Sequence, residues 1–169
     1  MKGVGALLVM ASCLYYCRQI CQGKRLRIRE LRGLIECLEH MLGELELRGA
    51  STPELLGRMC ELSEGETGVF FHRLKEAMSR LGEESFSLLW RETAAQALRF
   101  LSPGELDEMI RAGAVLGRLD LEAQLRALRF LRGVLQNAME DEQRSFPLRR
   151  KLLYGLCACG GLFLIVLIL

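Results

Sequence analysis

The residues best suited to chemistry in this 169-residue chain are seven cysteines and two histidines. Cys37 and His40 stand three apart, a spacing that places two ligands on one helical face and could form half of a zinc site, with Cys60 and His72 as the other half. Cys60 and His72 have no ligand spacing of their own, and His40 equally suits the polar edge of a helix, so no metal is expected. The other five thiols sit in apolar stretches: Cys13, Cys17 and Cys21 at four-residue steps, and Cys157 and Cys159 near the end. Their ordinary role there is that of a small hydrophobe, and an odd total with a cytoplasmic body argues against a disulfide framework.

Acids are plentiful but alternate with arginines on helical faces, as in Glu92 with Arg99 and Glu122 with Arg126, the pattern of a solvated surface. The sequence contains no Gly-x-x-x-x-Gly-Lys-Ser/Thr loop, no His-Glu-x-x-His and no Gly-x-Ser-x-Gly. Di-iron bundles need two Glu-x-x-His motifs, which are also missing. No catalytic residue, cofactor or small-molecule substrate is therefore expected.

The elements that must position these residues are helical. Ile28, Leu31, Leu34, Ile35, Leu38, Met41, Leu42 and Leu45 recur at helical spacing with Arg29, Glu36, Glu39 and Glu46 between them. Gly49 and Ala50 should end that helix. Thr52-Pro53-Glu54 supplies a cap, a first-turn proline and a first-turn acid for a second helix through about Leu62. Ser63-Glu64-Gly65-Glu66 can start a third, with Phe70, Leu74, Ala77, Met78 and Leu81 inward and Gly82 as its stop. A fourth spans about Glu84 to Leu98, with Phe86, Leu89, Trp90 and Ala94 inward. The capping box Ser102-Pro103-Gly104-Glu105 opens a fifth through Leu116. Asp120 caps a sixth, which carries Leu121, Leu125, Leu128, Leu135 and Met139 and should bend or break at Pro147.

The whole-chain figures of 50% hydrophobic residues and net charge +2 conceal a strong partition. Leu152 to Leu169 holds 15 apolar residues and three glycines, and Gly3 to Cys17 holds 12 apolar residues of 15, both without charge. Between Lys24 and Leu148 only 44% of residues are apolar, as in a soluble domain. Arg18, Lys24, Arg25, Arg27, Arg29 and Arg32, opposed only by Glu30, follow the first apolar stretch; Arg149, Arg150 and Lys151 precede the second. Gly33 to Leu148 then carries 13 basic and 20 acidic residues, a net of −7, which excludes a nucleic-acid surface on the body.

At about 1.5 Å per helical residue, the 18 residues from Leu152 cover roughly 27 Å of a hydrocarbon core about 30 Å thick. Met1 to Cys21 would cover roughly 31 Å with Lys2 and Arg18 snorkelling. Gly160 and Gly161 would admit close approach of another membrane helix. Both basic collars flank the body, so the positive-inside rule places it in the cytoplasm, with Arg18, Lys24, Arg25, Arg27, Arg29, Arg149, Arg150 and Lys151 at the membrane interface. The competing readings are a cleaved signal or a lipoprotein, because Met10-Ala11-Ser12-Cys13 is similar to a lipobox, with the body exported. A tail-anchored apoptosis regulator would carry Asn-Trp-Gly-Arg, whereas the one tryptophan here reads Leu89-Trp90-Arg91.

Several strings carry a resemblance to a known family. They are Gly3-Val4-Gly5-Ala6-Leu7-Leu8, the turn Ser51-Thr52-Pro53-Glu54-Leu55-Leu56, and Leu116-Gly117-Arg118-Leu119-Asp120-Leu121-Glu122-Ala123-Gln124. Leu153-Tyr154-Gly155-Leu156 and Gly160-Gly161 complete them. Over essentially its full length the chain resembles the stage III sporulation protein AB family of endospore-forming bacteria, with Pro147 and the cysteine-rich first segment as departures.

The resemblance implies a body similar to the cytoplasmic helical domains of the type II secretion and type IV pilus inner-membrane platform protein. It implies a place in the channel complex between mother cell and forespore. The implied partners are a stage III sporulation ATPase of the AA type and other membrane proteins of that complex.

The expectation is an all-α protein, an antiparallel bundle of about six helices flanked by N- and C-terminal transmembrane helices. Residues 1–21 form the first span, 22–151 the cytoplasmic bundle and 152–169 the last span. Its role is that of a non-enzymatic membrane platform.

Overall fold

A computed structural model describes residues 2–49, 51–116 and 120–168, with side chains described mainly between residues 22 and 145. The described residues form six α-helices: α1 Lys2–Arg48, α2 Thr52–Leu62, α3 Gly65–Ala77, α4 Phe86–Ala97, α5 Pro103–Leu116 and α6 Leu121–Ile168. A single 3-10 turn, Met78–Arg80, follows α3. The chain divides into two compact units, Arg29–Met139 and the pair of segments Met1–Ile28 with Glu140–Leu169.

The first unit has one core. On α1 the buried positions Leu31, Leu34, Leu38, Met41 and Leu45 alternate steps of three and four, and Ile35, Cys37 and Leu42 widen the stripe. On α6 Gln124, Leu128, Leu131 and Leu135 follow the same alternation. Glu39 meets Arg132 at 3.5 Å and Glu46 meets Arg129, so α1 and α6 run antiparallel here. These exposed ion pairs contribute about 0–1 kcal/mol each, against about 1.5–3 kcal/mol for each fully buried leucine. Apolar packing therefore holds the two long helices together, and the charges align them.

Helices α2 to α5 pack in chain order, each against the next. Trp90 on α4 is fully buried, its ring edge-on to Phe70 of α3 at 5.0 Å and 84°. Phe86 lies 5.8 Å from it. The indole Nε1 donates to the Met109 carbonyl of α5 at 2.8 Å, which satisfies the ring's one polar atom inside the core. All four residues expected inward on α4, Phe86, Leu89, Trp90 and Ala94, are buried.

The end signals read from sequence act largely as expected. Gly49 follows α1 at φ 57°, while Ala50 lies outside the described residues; Gly82, at φ 132°, lies beyond the 3-10 turn Met78–Arg80 and is not the stop of α3, which ends at Ala77. The Ser102 amide donates to Glu105 at 2.8 Å, the reciprocal bond of a capping box. Asp120 accepts from the Ala123 amide at 3.2 Å and caps α6.

Four further expectations are corrected. Ser51, not Thr52, is the cap position of α2, so Pro53 takes the second helical position. The fourth helix begins at Phe86 rather than Glu84, because Ser85 accepts from the Leu88 amide and sets the start there. Leu81 is exposed: the chain tightens into the 3-10 turn after Ala77, and the 3.6-residue period that would have turned it inward ends there. Pro147 does not interrupt α6, whose helix continues to Ile168. Proline removes one backbone donor, here to the carbonyl of Gln143, and Gln143 is exposed, so water can replace it.

Helix α1 is continuous from Lys2 to Arg48, and no break separates its apolar beginning from its amphipathic part. Among the described residues no helix is long and apolar enough to cross a membrane. Of the segments expected to span, 1–21 and 152–169, residues 2–21 and 152–168 are helical in backbone, and most of their side chains lie outside those described.

Candidate functional site

The cysteines and histidines singled out by spacing do not form a centre. Cys37 and Cys60 are free and buried, on α1 and α2. His40 and His72 are exposed. Three residues advance a helix by about 300°, so the Cys37 side chain can enter the core while His40 stays at the rim. Among the described residues no three side chains of His, Cys, Asp or Glu gather in a way that could hold a metal ion. Cys13, Cys17, Cys21, Cys157 and Cys159 lie outside the residues whose side chains are described.

Burial pushes the Cys37 thiol up to about 11, with the neighbouring Glu36 carboxylate adding to the effect. Burial also raises Cys60, partly offset by Lys75. Both thiols are therefore protonated and unreactive at neutral pH. Two results should follow. An alkylating reagent at neutral pH modifies Cys37 and Cys60 only after denaturant is added. Because the folded state holds the Cys37 proton more tightly than the unfolded chain, its contribution is complete below about pH 9 and is lost as pH rises toward about 11. Thermal melts across that range, compared with C37A/C60A, check the sign.

The basic segment of α1 is organised in a way that its composition did not reveal. In the unit formed by the chain's two end segments, Glu142 of α6 accepts from Lys24 at 2.7 Å and from Arg27 Nη1 at 2.7 Å. Glu142 is 14% exposed, which limits solvent screening. Arg18 and Arg25 on the same helix are exposed. Side chains of Arg149, Arg150 and Lys151, on α6, lie outside those described.

In the bundle unit, Arg29 and Arg32 are exposed and border a groove of about 480 Å³. Glu36, His40, Glu64 and Gly65 also border it, so its charges nearly balance. Glu30 beneath is buried and accepts from the Glu66 amide at 3.0 Å. A carboxylate from α1 thus caps the N-terminus of α3, where the helix dipole favours negative charge. Gly65 stands at φ 64°, and a Cβ there would overlap the Glu30 carboxylate. Both the backbone turn and the cap therefore need glycine.

Sequence reasoning missed Glu30 and Glu142. Glu30 had been counted only as an offset to the arginines around it. A usable signal existed: counted back from Leu31 at steps of four and three, the seam of α1 falls on Arg27 and Lys24, and the seam of α6 continues from Leu135 through Ala138 to Glu142. Charged residues in an apolar frame announce a partner.

The string Leu116 to Gln124 also acquires a role. The Gln124 amide donates to the Leu116 carbonyl at 3.1 Å, tying the first turn of α6 to the last of α5. Residues 117–119 of that string lie outside the described residues.

Fold and site together define an all-helical protein built on two long paired helices, with buried thiols and a carboxylate-clamped basic segment. The chain belongs to the stage III sporulation protein AB family, whose model matches residues 2–169. A solved structure named "Stage III sporulation protein AB (SpoIIIAB)" shares the fold, with a TM-score of 0.63 at 16% identity. The match covers 72% of this chain and 97% of that one. No curated protein matches the chain. Family membership supports a role in sporulation.

Proposed function

We propose that this protein is a non-enzymatic membrane platform of the sporulation channel complex, which presents an acidic helical domain to a cytoplasmic ATPase. The observation that carries the reading is the distribution of charge along α1 and α6. Each helix runs between an uncharged apolar segment and the body, with a basic cluster at the junction. Two such junctions on one body support a cytoplasmic domain between two spans. At an anionic surface each exposed arginine or lysine contributes about 1 kcal/mol.

The domain is similar, on this reading, to the cytoplasmic domains of the type II secretion platform protein. Its partners are a stage III sporulation ATPase of the AA type and other membrane proteins of the complex. Work done by the ATPase on the domain passes along α1 and α6 into the spans.

A fluorescent protein that matures only in the cytoplasm, inserted at exposed Gly82 of the full chain, is expected to be bright in membranes of sporulating cells. Crosslinking of the same chain should recover an ATPase. A dark reporter, with a lipid mass on Cys13 and loss of the residues before it, would replace this reading by the exported one.

A further inference from the structure

We propose that Lys24, Arg27 and Glu142 form a register lock between α1 and α6, so that the two helices are held at one axial alignment and shift as one. The proposal does not rest on the membrane reading, since it concerns only how two helices of this chain meet.

Lys24 and Arg27 occupy the same three-and-four frame that Leu31 to Leu45 follow on α1, and Glu142 occupies the corresponding frame on α6. The carboxylate bonds both cations, Oε1 to each at 2.7 Å and Oε2 to Lys24 at 3.0 Å. Leucine against leucine by itself discriminates weakly against a slip of seven residues. In the bundle unit Glu39–Arg132 and Glu46–Arg129 oppose such a slip, and in the unit of the two end segments the Glu142 layer opposes it. Slipped one way, Glu142 would face Leu31 and Leu34; slipped the other way, it would face Cys17 and Ile20. Either alignment leaves the largely covered Glu142 carboxylate against apolar side chains and without Lys24 and Arg27, which is unfavourable.

Replacing a buried ion pair with apolar residues is often neutral or stabilising. The gain from this cluster is therefore alignment rather than strength, in the way that one polar seam residue sets the register of a coiled coil.

The test uses the full chain with spin labels on non-natural residues at exposed Gln22 and Arg144, so that the native cysteines stay untouched. The wild-type chain should give one narrow distance. K24L/R27L/E142L should fold, by circular dichroism, yet give a broad or split distribution with a component longer by several ångströms, because labels nearly level across the pair become offset along the axis by one heptad, about 10 Å. The swapped chain K24E/R27E/E142K should restore the single distance. A triple-leucine chain that keeps the narrow wild-type distance would overturn the lock and leave the cluster an ordinary contact. Should that chain not fold, E142Q and the swap decide. Broadening in E142Q that is reversed in the swap supports the lock, and distributions alike in both overturn it.

Discussion

Trp90→Ala is expected to lower the unfolding free energy by about 3–5 kcal/mol, the range for deleting a fully buried aromatic side chain. The indole has no exposed surface and sits where α3, α4 and α5 meet, edge-on to Phe70 and beside Phe86. Its loss leaves a cavity that rigid helices close only in part. It also strips the Met109 carbonyl of its indole donor, a further cost for a buried acceptor. Trp90 is the chain's one tryptophan, so the variant loses the fluorescence signal, and denaturant titration by circular dichroism is the measurement. Trp90→Phe should recover most of the packing and none of the hydrogen bond. A drop of less than about 1 kcal/mol for alanine would mean that the three helices do not share this core.

Gly113→Ala is expected to destabilise the protein by about 1–3 kcal/mol, the cost of overfilling a packed core. The sign is the informative part. Within a helix alanine is ordinarily favoured over glycine by about 1 kcal/mol. At Gly113 of α5, however, a Cβ would overlap Cδ1 and Cγ of Trp90. The indole is held by two aromatic neighbours and its hydrogen bond, so it cannot retreat without breaking another contact. Gly133 of α6 provides the control, because a Cβ there meets nothing within 4 Å. Gly133→Ala should raise stability by up to about 1 kcal/mol. Equal shifts at the two positions in the same denaturant series would refute the close approach of α5 to Trp90. The indole emission of Gly113→Ala should also shift, since the added methyl touches the ring.

Much of the bundle was legible because helices declare themselves locally. The buried stripe from Leu31 to Leu45 repeats at helical period, Asp120 and Glu105 make the caps their positions imply, and Phe86, Leu89, Trp90 and Ala94 face inward as spaced. Each of those features depends on residues within a few positions of one another. Leu81 failed for the same reason. A local tightening after Ala77 changed the period, and nothing in the residue types announced it. Pro147 misled in the other direction, since one missing donor, opposite the exposed residue Gln143, is a small defect in a helix of 48 residues.

The candidate site was less legible. The arginines of the basic segment were identified by type, and their charge did mark a junction. That Lys24 and Arg27 share Glu142, 118 and 115 residues away, required α1 and α6 to be placed side by side. The same holds for Glu30, which lies within the basic run and caps α3 from 36 residues away.

The partition described at the outset, two uncharged apolar segments, two basic clusters and an acidic helical body, belongs to the sequence alone. Composition and helical period are properties of neighbouring residues and need no fold to be read. Tertiary structure alone decided which acid answers which base, why Gly113 must lack a side chain, and why burial keeps the thiols of Cys37 and Cys60 protonated in the core. Those depend on groups distant in sequence meeting at a few ångströms, where burial removes the water that would otherwise make the choice of partner indifferent.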